Sequence, residues 1–261
     1  MEQQPDKTVL ITGGTSGIGL ELAKIFAREK YRLIIAARGR EDLDRTAQEL
    51  SRLSGKEVIT KQSDLSQEGS AHELYDFVKQ KNIALDVLVN NAGYAEHGLF
   101  KDVPLEKELA MVQLNLTSLT SLTKLFLDAA QDRRSGKILN VASTAAFQPG
   151  PLMSVYYATK AYVLSLSEAL ANELEGTGVT ITALCPGPTR TAFQKKVGVI
   201  LPMFSGSMDP AAVAEAGYRG LMSGKTIVIP GLKNKLLVQI LRLSPRALVP
   251  KIVRRLQEAR K

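Results

Sequence analysis

The chain has 261 residues, of which 44% are hydrophobic, and this is enough to bury the core of one α/β domain. No apolar run reaches the roughly 18 residues of a membrane-spanning helix, and the first residues lack the apolar stretch of a signal peptide. The single cysteine, Cys185, excludes an internal disulfide and is typical of a reducing compartment, so we expect a cytoplasmic protein.

Apolar runs alternate with segments of helical periodicity along the chain. They predict strands at about 8–12, 32–37, 57–61, 86–90, 137–142, 179–184 and 226–229, with helical segments between neighbours. This alternation is typical of an α/β fold, and it predicts a Rossmann-type, doubly wound parallel sheet of about seven strands with helices on both faces. In such sheets the ligand lies beyond the carboxyl ends of the strands.

A glycine-rich turn follows the first predicted strand and precedes a helix. It comprises residues 12–19, with the sequence Thr-Gly-Gly-Thr-Ser-Gly-Ile-Gly. Glycines allow close backbone approach and a helix N-terminus offers free N–H groups, so this arrangement forms a phosphate cradle. The spacing differs from the commoner G-x-G-x-x-G, and a glycine-rich turn alone is often only a turn. Its position between strand and helix favours dinucleotide binding.

Tyr156 and Lys160 lie four residues apart, which places them on one face of a predicted helix. An ammonium beside a phenol stabilises the phenolate and lowers the phenol pKa, so the tyrosine can act as a general acid or base. Ser143 can hydrogen-bond the same substrate oxygen. An isolated Tyr–Lys pair at this spacing more often lies on a solvent-exposed helix face without a catalytic role. The catalytic interpretation therefore depends on the other motifs.

Asparagines occur at two further points. Asn90 and Asn91 begin the sequence Asn-Asn-Ala-Gly that closes a strand, and Asn115 interrupts an apolar helix. Each is either functional, or a turn former or helix residue that is satisfied by its own backbone.

Taken together, these motifs resemble the compact, single-domain branch of the short-chain dehydrogenase/reductase family, and the resemblance extends from about residue 7 to residue 231. The matching segments are TGGTSGIG at 12–19, NNAG at 90–93, Asn115, Ser143, YYATK at 156–160 and Pro186-Gly187. The resemblance implies an NAD(P)-dependent oxidoreductase that interconverts a carbonyl and an alcohol by hydride transfer. A homodimer or homotetramer is the expected assembly.

The resemblance also assigns roles to individual residues. Tyr156 is the expected proton donor for reduction, Lys160 lowers its pKa and binds the nicotinamide ribose, and Ser143 orients and polarises the substrate oxygen. Asn115 is expected to hold a water that links Lys160 to solvent. The expected cofactor contacts are Gly13, Thr15, Ser16, Gly17, Ile18, Gly19, Asp64, Leu65, Asn91, Ala92, Gly93, Tyr156, Lys160, Pro186, Gly187 and Thr189 or Thr191. The family spacing slightly favours Thr191. The alternative for Asp64 is an acid in a helix N-terminal turn.

The end of the second strand indicates which dinucleotide is used. A carboxylate there normally binds the adenosine ribose and repels a 2′-phosphate. Here Ala37 takes the place of the acid, and by analogy with the family Arg38 faces the 2′-phosphate, which suits an arginine fork. The alternative is a solvated loop arginine. The missing acid and Arg38 therefore indicate a preference for NADP(H). Ser16 stands where some NADP-using relatives carry a second basic residue, and this departure leaves the use of NAD(H) open as well.

Residues 188–215 correspond to the mobile substrate lid of the family. Apolar residues are frequent there, among them Phe193, Val197, Val199, Ile200, Leu201, Pro202, Met203 and Phe204. Such a lid suits a small-molecule substrate that is an apolar carbonyl or alcohol, although an apolar lid can also pack on its own protein. His72 and His97 show no pattern typical of a metal site, so no metal is expected.

Residues 233–261 differ from the rest of the chain in charge. They contain nine basic residues and one acid, Glu258, and so carry the whole net charge of +8, whereas the Rossmann-fold domain at 1–232 is balanced. Apolar residues interleave at helical spacing, which predicts an amphipathic C-terminal extension. It either packs on its own or a partner subunit, which we favour, or makes peripheral contact with an anionic membrane surface. Nucleic-acid binding is not expected, because the extension lacks aromatic residues.

Two other functions fit parts of this pattern. A noncatalytic NADP-binding sensor needs the glycine turn but not Ser143, Tyr156 and Lys160. A membrane-peripheral scaffold is indicated by residues 233–261 alone and would not need these catalytic residues. The presence of all three catalytic residues favours an enzyme.

Overall fold

In the computed structural model, which describes residues 7–193 and 206–258, seven parallel strands form one sheet. They are β1 (Thr8–Thr12), β2 (Arg32–Ala37), β3 (Ile59–Gln62), β4 (Val87–Asn90), β5 (Gly136–Val141), β6 (Val179–Leu184) and β7 (Ile227–Val228). Their order in the sheet is β3-β2-β1-β4-β5-β6-β7, which confirms the predicted doubly wound fold. β3 begins at Ile59 rather than near residue 57, and β7 is shorter than predicted.

Helices cover both faces of this sheet. In chain order they are α1 (Gly17–Arg28), α2 (Arg40–Ser54), α3 (Ser70–Gln80), α4 (Leu105–Val112), α5 (Leu119–Arg133), α6 (Ser154–Glu173), α7 (Pro210–Met222), α8 (Leu232–Leu243) and α9 (Val249–Gln257). A π-helical turn, Gln113–Ser118, joins α4 to α5, and a short 3₁₀ helix, Thr144–Phe147, follows β5. α1, α2 and α7 pack on one face of the sheet, and α3, α5 and α6 pack on the other.

Strand residues alternate between the two faces because the side-chain period of a strand is two. Val9 and Ile11 of β1 face α1, α2 and α7, whereas Leu10 between them packs with α3 and α5. All three side chains are fully buried. Burial of one side chain of this size contributes about 1.5–3 kcal/mol to stability. β1 is apolar on both faces for this reason, as expected of a central parallel strand.

The crevice at the carboxyl edge of the sheet follows from the connections of two neighbouring strands. β1 leads to α1 on one face, and the adjacent β4 leads to α5 on the other. The loops after these strands therefore separate, and ligands of such sheets bind between them. The glycine turn and residues 91–93 lie at this crevice.

α8 and α9 form the C-terminal extension, and their inner sides pack on the same chain. Val238 of α8 is buried, and Val249 and Val253 of α9 are buried in one apolar cluster with Met153 and Tyr157. Within the two described ranges, no helix combines the length and the apolar character needed to cross a membrane.

Two polar contacts accompany this packing of α9. The His97 ring, which had no evident role in the sequence, places Nε2 2.9 Å from the carbonyl oxygen of Gln257. The Gln257 side chain is fully buried, and its amide makes no hydrogen bond within the described residues. It lies near the Tyr157 hydroxyl and offsets part of the rise in the Tyr157 pKa that burial causes. Gly150 packs on the other side, since a Cβ there would lie 2.2 Å from the Tyr157 ring. Tyr157 is thereby enclosed.

We expect Val253→Asp to lower the melting temperature by at least about 5 °C, because it places an unpaired carboxylate in this apolar cluster. The matched control is Leu243→Asp on α8, where the side chain is 88% exposed, and it should leave the melting temperature nearly unchanged. Differential scanning fluorimetry measures both. Equal effects of the two substitutions would contradict the packing of α9.

Candidate active site

An open cleft of about 400 Å³ lies at the carboxyl ends of the strands. The predicted site residues line it, except Gly19 and Asn115, which lie directly behind its wall. The lining includes Arg38 after β2 and Tyr156 on α6. The predicted contact with the 2′-phosphate of the dinucleotide and the predicted proton donor therefore lie in a single cleft.

The glycine turn has the backbone conformation that a phosphate cradle needs. Gly13 and Gly17 have φ angles of +64° and +56°, which residues with a side chain rarely adopt. α1 then begins with no acidic residue in its first turn and no side-chain cap from Ser16. Free N–H groups and the positive end of the helix dipole are therefore available at the cleft, and they fit the pyrophosphate of a dinucleotide.

The last side chain of β1 and the first side chain after β4 hold this turn in place. The Asn91 amide donates to the carbonyl oxygens of Thr12 and Gly13, both at 3.0 Å. The Thr12 hydroxyl accepts from the backbone N–H groups of Asn91 and Ala92. Gly19 cannot carry a side chain, because a Cβ there would lie 2.3 Å from the Asn91 amide nitrogen. This role of Thr12 was not predicted, and its one signal in the sequence is a hydroxyl at the end of a buried strand.

Arg38 lies directly after β2, and within the described residues its guanidinium makes no hydrogen bond or ion pair. Burial raises the pKa of the nearby Asp64, but hydrogen bonds from Ser66 and the charge of Arg38 outweigh burial and lower it. Asp42 also lines this part of the cleft and is paired with Arg45. The place of Asp42 in the cleft was not predicted, because an acid in the first turn of a helix is common.

The structure brings the three predicted catalytic residues together. α6 carries Tyr156 and Lys160, and Ser143 caps the 3₁₀ helix after β5. The Ser143 hydroxyl accepts from the N–H of Ala145 at 3.1 Å, which fixes its position. Lys160 is buried, its Nζ donates to the carbonyl of Val141 at 2.8 Å, and it lies 5.8 Å from the centre of the Tyr156 ring.

Burial, rather than the charge of Lys160, sets the direction of the Tyr156 pKa shift in this structure. Burial raises the pKa of Tyr156 to about 12, and the interaction with the Ser143 side chain offsets only part of this rise. Burial also lowers the pKa of Lys160 to about 8. Because Lys160 donates to a backbone carbonyl rather than to the phenol, desolvation dominates both groups. Tyr156 is therefore a protonated phenol at neutral pH and can donate its proton.

Asn115 lies in the π-helical turn rather than in the regular helix that its apolar surroundings indicated. Its Nδ2 donates to the carbonyl of Tyr94 and to the hydroxyl of Thr159, both at 3.1 Å. A Cβ on Gly93 would lie 3.0 Å from Asn115 Oδ1 and 3.6 Å from Lys160 Nζ, so both side chains adjoin this glycine. Such turns are frequent at functional sites, but the periodicity of apolar residues does not reveal them.

The two candidate threonines differ in their surroundings. The Thr189 hydroxyl is buried and donates to the carbonyl of Gly187 at 2.9 Å. Thr191 borders the glycine turn, since a Cβ on Gly17 would lie 2.9 Å from the Thr191 methyl group. The Thr191 hydroxyl makes no hydrogen bond within the described residues, so the geometry favours Thr191 as the cofactor contact.

The side of the cleft next to Tyr156 is apolar. Met153 and Phe193 line it, and the rings of Phe193 and Tyr156 lie 5.6 Å apart. Met153 was not identified from the sequence, because it stands outside the matched motifs. The predicted lid residues between 197 and 204 lie outside the described residues.

Comparisons with known proteins agree with this geometry. Residues 7–199 match the family model described as short chain dehydrogenase. The uncharacterized oxidoreductase YvrD of Bacillus subtilis is 39% identical over 189 residues, which cover 72% of this chain and 71% of YvrD. The ketoacyl reductase HetN of Nostoc is 32% identical over 85% of this chain and 78% of its own. A solved structure of a short-chain dehydrogenase from Sphingobium yanoikuyae in complex with NADPH has a TM-score of 0.82 and 32% identity, and it covers 93% of this chain and 94% of that chain.

The chain therefore belongs to the short-chain dehydrogenase/reductase family. It is an NAD(P)-dependent oxidoreductase that acts on CH–OH and C=O groups.

Tyr156→Phe removes the phenol proton and keeps the ring, so turnover should fall by about 10²–10⁴, the range typical of general acid–base catalysis. Cofactor affinity, measured by fluorescence titration, should change little. The control is Tyr157→Phe, which keeps the enclosed ring and should retain near-normal turnover. Loss of turnover in Tyr157→Phe with normal turnover in Tyr156→Phe would reverse the assignment.

Proposed function

We propose that this protein is an NADP(H)-dependent oxidoreductase that interconverts an apolar carbonyl compound and its alcohol. The main support is the meeting of Ser143, Tyr156 and Lys160 in one cleft with the glycine turn and Arg38. We further propose that it works in the cytoplasm as a homodimer or homotetramer, the assembly that the family implies.

The chain's own residues act on the substrate oxygen. Ser143 donates a hydrogen bond that orients and polarises this oxygen, and Tyr156 donates the proton during reduction. Both side chains line the same cleft and interact with each other, so one oxygen can contact both. A bound nicotinamide cofactor supplies or accepts the hydride at the substrate carbon.

Lys160 supports Tyr156 from the buried side of the cleft. Its positive charge favours the phenolate that forms once Tyr156 has given up its proton. Asn115 and Lys160 both adjoin Gly93, so a water held by Asn115 would connect Lys160 to solvent and allow the proton to be replaced. This is the role that the family implies for Asn115.

The preference for NADP(H) over NAD(H) rests on Arg38. β2 ends at Ala37 without a carboxylate for the ribose hydroxyls. The guanidinium of Arg38 has no hydrogen-bond or ion-pair partner among the described residues and offers paired donors to a 2′-phosphate. Asp42 lines the same region, but its pairing with Arg45 weakens its repulsion of a phosphate. The complex of the Sphingobium dehydrogenase with NADPH is in line with this choice.

The apolar character of the substrate is inferred from Met153, Tyr156 and Phe193, which line the cleft beside the catalytic hydroxyls. The name of HetN, a ketoacyl reductase, makes carbonyls in acyl chains one class to test. The test is a panel of ketones, aldehydes, ketoacyl thioesters and sterol-sized ketones, each assayed with NADPH and NADH by nicotinamide absorbance. Turnover of apolar carbonyls supports the proposal, and turnover restricted to charged polar substrates contradicts it.

Arg38→Asp should weaken NADPH binding by about 2–3 kcal/mol, since a charge-assisted hydrogen bond is lost and a repulsion is added. NADH lacks the phosphate, so its affinity should fall far less or rise. Isothermal titration calorimetry measures both. The control is Arg40→Asp, the same charge change at a side chain that is outside the cleft and paired with Asp44. Equal losses for both cofactors in Arg38→Asp would show that Arg38 does not bind the phosphate.

The raised pKa of Tyr156 predicts opposite pH profiles for the two reaction directions. Reduction needs the protonated phenol, which predominates far below a pKa of about 12, so its rate should be flat across neutral pH. Oxidation needs the phenolate, whose fraction grows about tenfold per pH unit below the pKa, so the oxidation rate should rise with pH. Initial rates at saturating substrate measure both profiles. A flat oxidation profile would mean that cofactor or substrate lowers the Tyr156 pKa below the range tested.

A further inference from the structure

The outer side of α8 carries apolar side chains that contact little of the described protein. Leu232, Leu236 and Leu243 share one side of the helix by their spacing, and Leu232 and Leu243 are 82% and 88% exposed. Val238 and Leu241 point the opposite way and pack on the catalytic domain. α8 is therefore apolar on two sides, and among the described residues packing uses only one of them.

α9 extends this apolar exposure. Leu248, Ile252 and Leu256 are each about half exposed, although the neighbouring Val249 and Val253 are buried. We call the exposed side chains of residues 232–256 the C-terminal surface. A monomer normally exposes apolar residues singly, and clusters of them mark interaction sites.

The C-terminal surface is strongly basic as well as apolar. Its exposed cations without an ion pair in the described chain are Lys233, Lys235, Arg242, Arg246, Lys251 and Arg255. Arg254 is paired with Glu258, the one acid beyond residue 232. Residues 1–232 carry equal numbers of acidic and basic side chains, so the positive potential is concentrated here.

We propose that the C-terminal surface docks on an anionic lipid membrane. Leucine and isoleucine side chains insert at the boundary between headgroups and acyl chains, and lysine and arginine side chains neutralise the headgroups around them. A second copy fits less well, because a symmetric contact would oppose two basic surfaces. Binding of a nucleic acid would account for the exposed cations, whose partners would be phosphates, but not for the exposed leucines. Attachment through this surface is peripheral.

Docking places the catalytic cleft beside the lipid. Val249 and Val253 of α9 pack on Met153 and Tyr157, and both of these residues line the cleft. An apolar carbonyl compound dissolved in the membrane would therefore have a short path to Tyr156. This consequence rests on the proposed function, but docking itself can be measured without substrate or cofactor.

The experiment is co-sedimentation of the full chain with vesicles of equimolar phosphatidylcholine and phosphatidylglycerol, and with vesicles of phosphatidylcholine alone. The protein should sediment with the anionic vesicles only, and less so as salt is raised, since screening weakens surface attraction. Arg242→Glu combined with Lys251→Glu should lower the partition coefficient at least about tenfold. The matched control is Arg45→Glu with Arg52→Glu on α2, the same charge change elsewhere on the surface, and it should retain most of the binding.

A second variant separates insertion from charge. Leu236→Ser with Leu243→Ser should reduce vesicle binding and leave the melting temperature nearly unchanged, because both side chains are largely exposed in the described part of the chain. Three results would overturn the proposal. One is no sedimentation of the full chain with anionic vesicles. Another is dissociation of an oligomer by the serine variant in analytical ultracentrifugation, which would assign the surface to a contact between copies. The third is binding to duplex DNA or RNA at salt concentrations where vesicles are not bound.

Discussion

The hydrogen bonds that tie the loop after β4 to the glycine turn fix the position of the proposed cofactor site. The Asn91 amide bonds to the carbonyls of Thr12 and Gly13, and the Thr12 hydroxyl bonds back to two N–H groups of the β4 loop. Each such bond contributes about 1 kcal/mol, but loss of one partner leaves a buried polar group unsatisfied at a cost of about 1–3 kcal/mol. The turn is thus held rigidly, and the N-terminus of α1 is fixed toward the cleft. The absence of a side chain at Gly19 is the condition for this close approach.

Burial sets the chemistry at the other end of the cleft. Lys160 is surrounded by protein and donates to the Val141 carbonyl, and this environment lowers its pKa while that of Tyr156 rises. The opposite shifts have one cause, because a low dielectric disfavours the charged form of each group. A neutral phenol and a lysine that loses its proton easily suit proton delivery to a carbonyl oxygen. On the buried side of Tyr156, Asn115 and Lys160 both adjoin Gly93, so the proposed route for returning the proton would begin there.

The sequence predicted the sheet and the site motifs because both depend on local order. Apolar runs located all seven strands to within about two residues, and the motifs located the residues of the cleft. Features set by contacts between distant segments were missed. These features depend on segments that lie far apart in the chain. They are the hydrogen bonds of Thr12 to the loop after β4, the place of Asp42 in the cleft, and the contact of His97 with Gln257. The π-helical turn at Asn115 has no signature in apolar spacing, and the pKa of Tyr156 depends on burial that spacing does not report.

The C-terminal extension links the surface of the molecule to its catalytic tyrosine. Val249 and Val253 of α9 pack on Tyr157. Tyr157 has no predicted catalytic role, but it is the next residue in the chain after Tyr156. The two tyrosine rings lie 6.0 Å apart at an edge-to-face angle of 76°, so a shift of α9 would be passed to Tyr156 through Tyr157. The glycine turn and Arg38 make no part of this apolar cluster. The apolar contacts of α9 therefore reach the end of the cleft that holds Tyr156. α8 borders the cleft at a second point, since a Cβ on Gly187 would lie 2.6 Å from the Asn234 side chain.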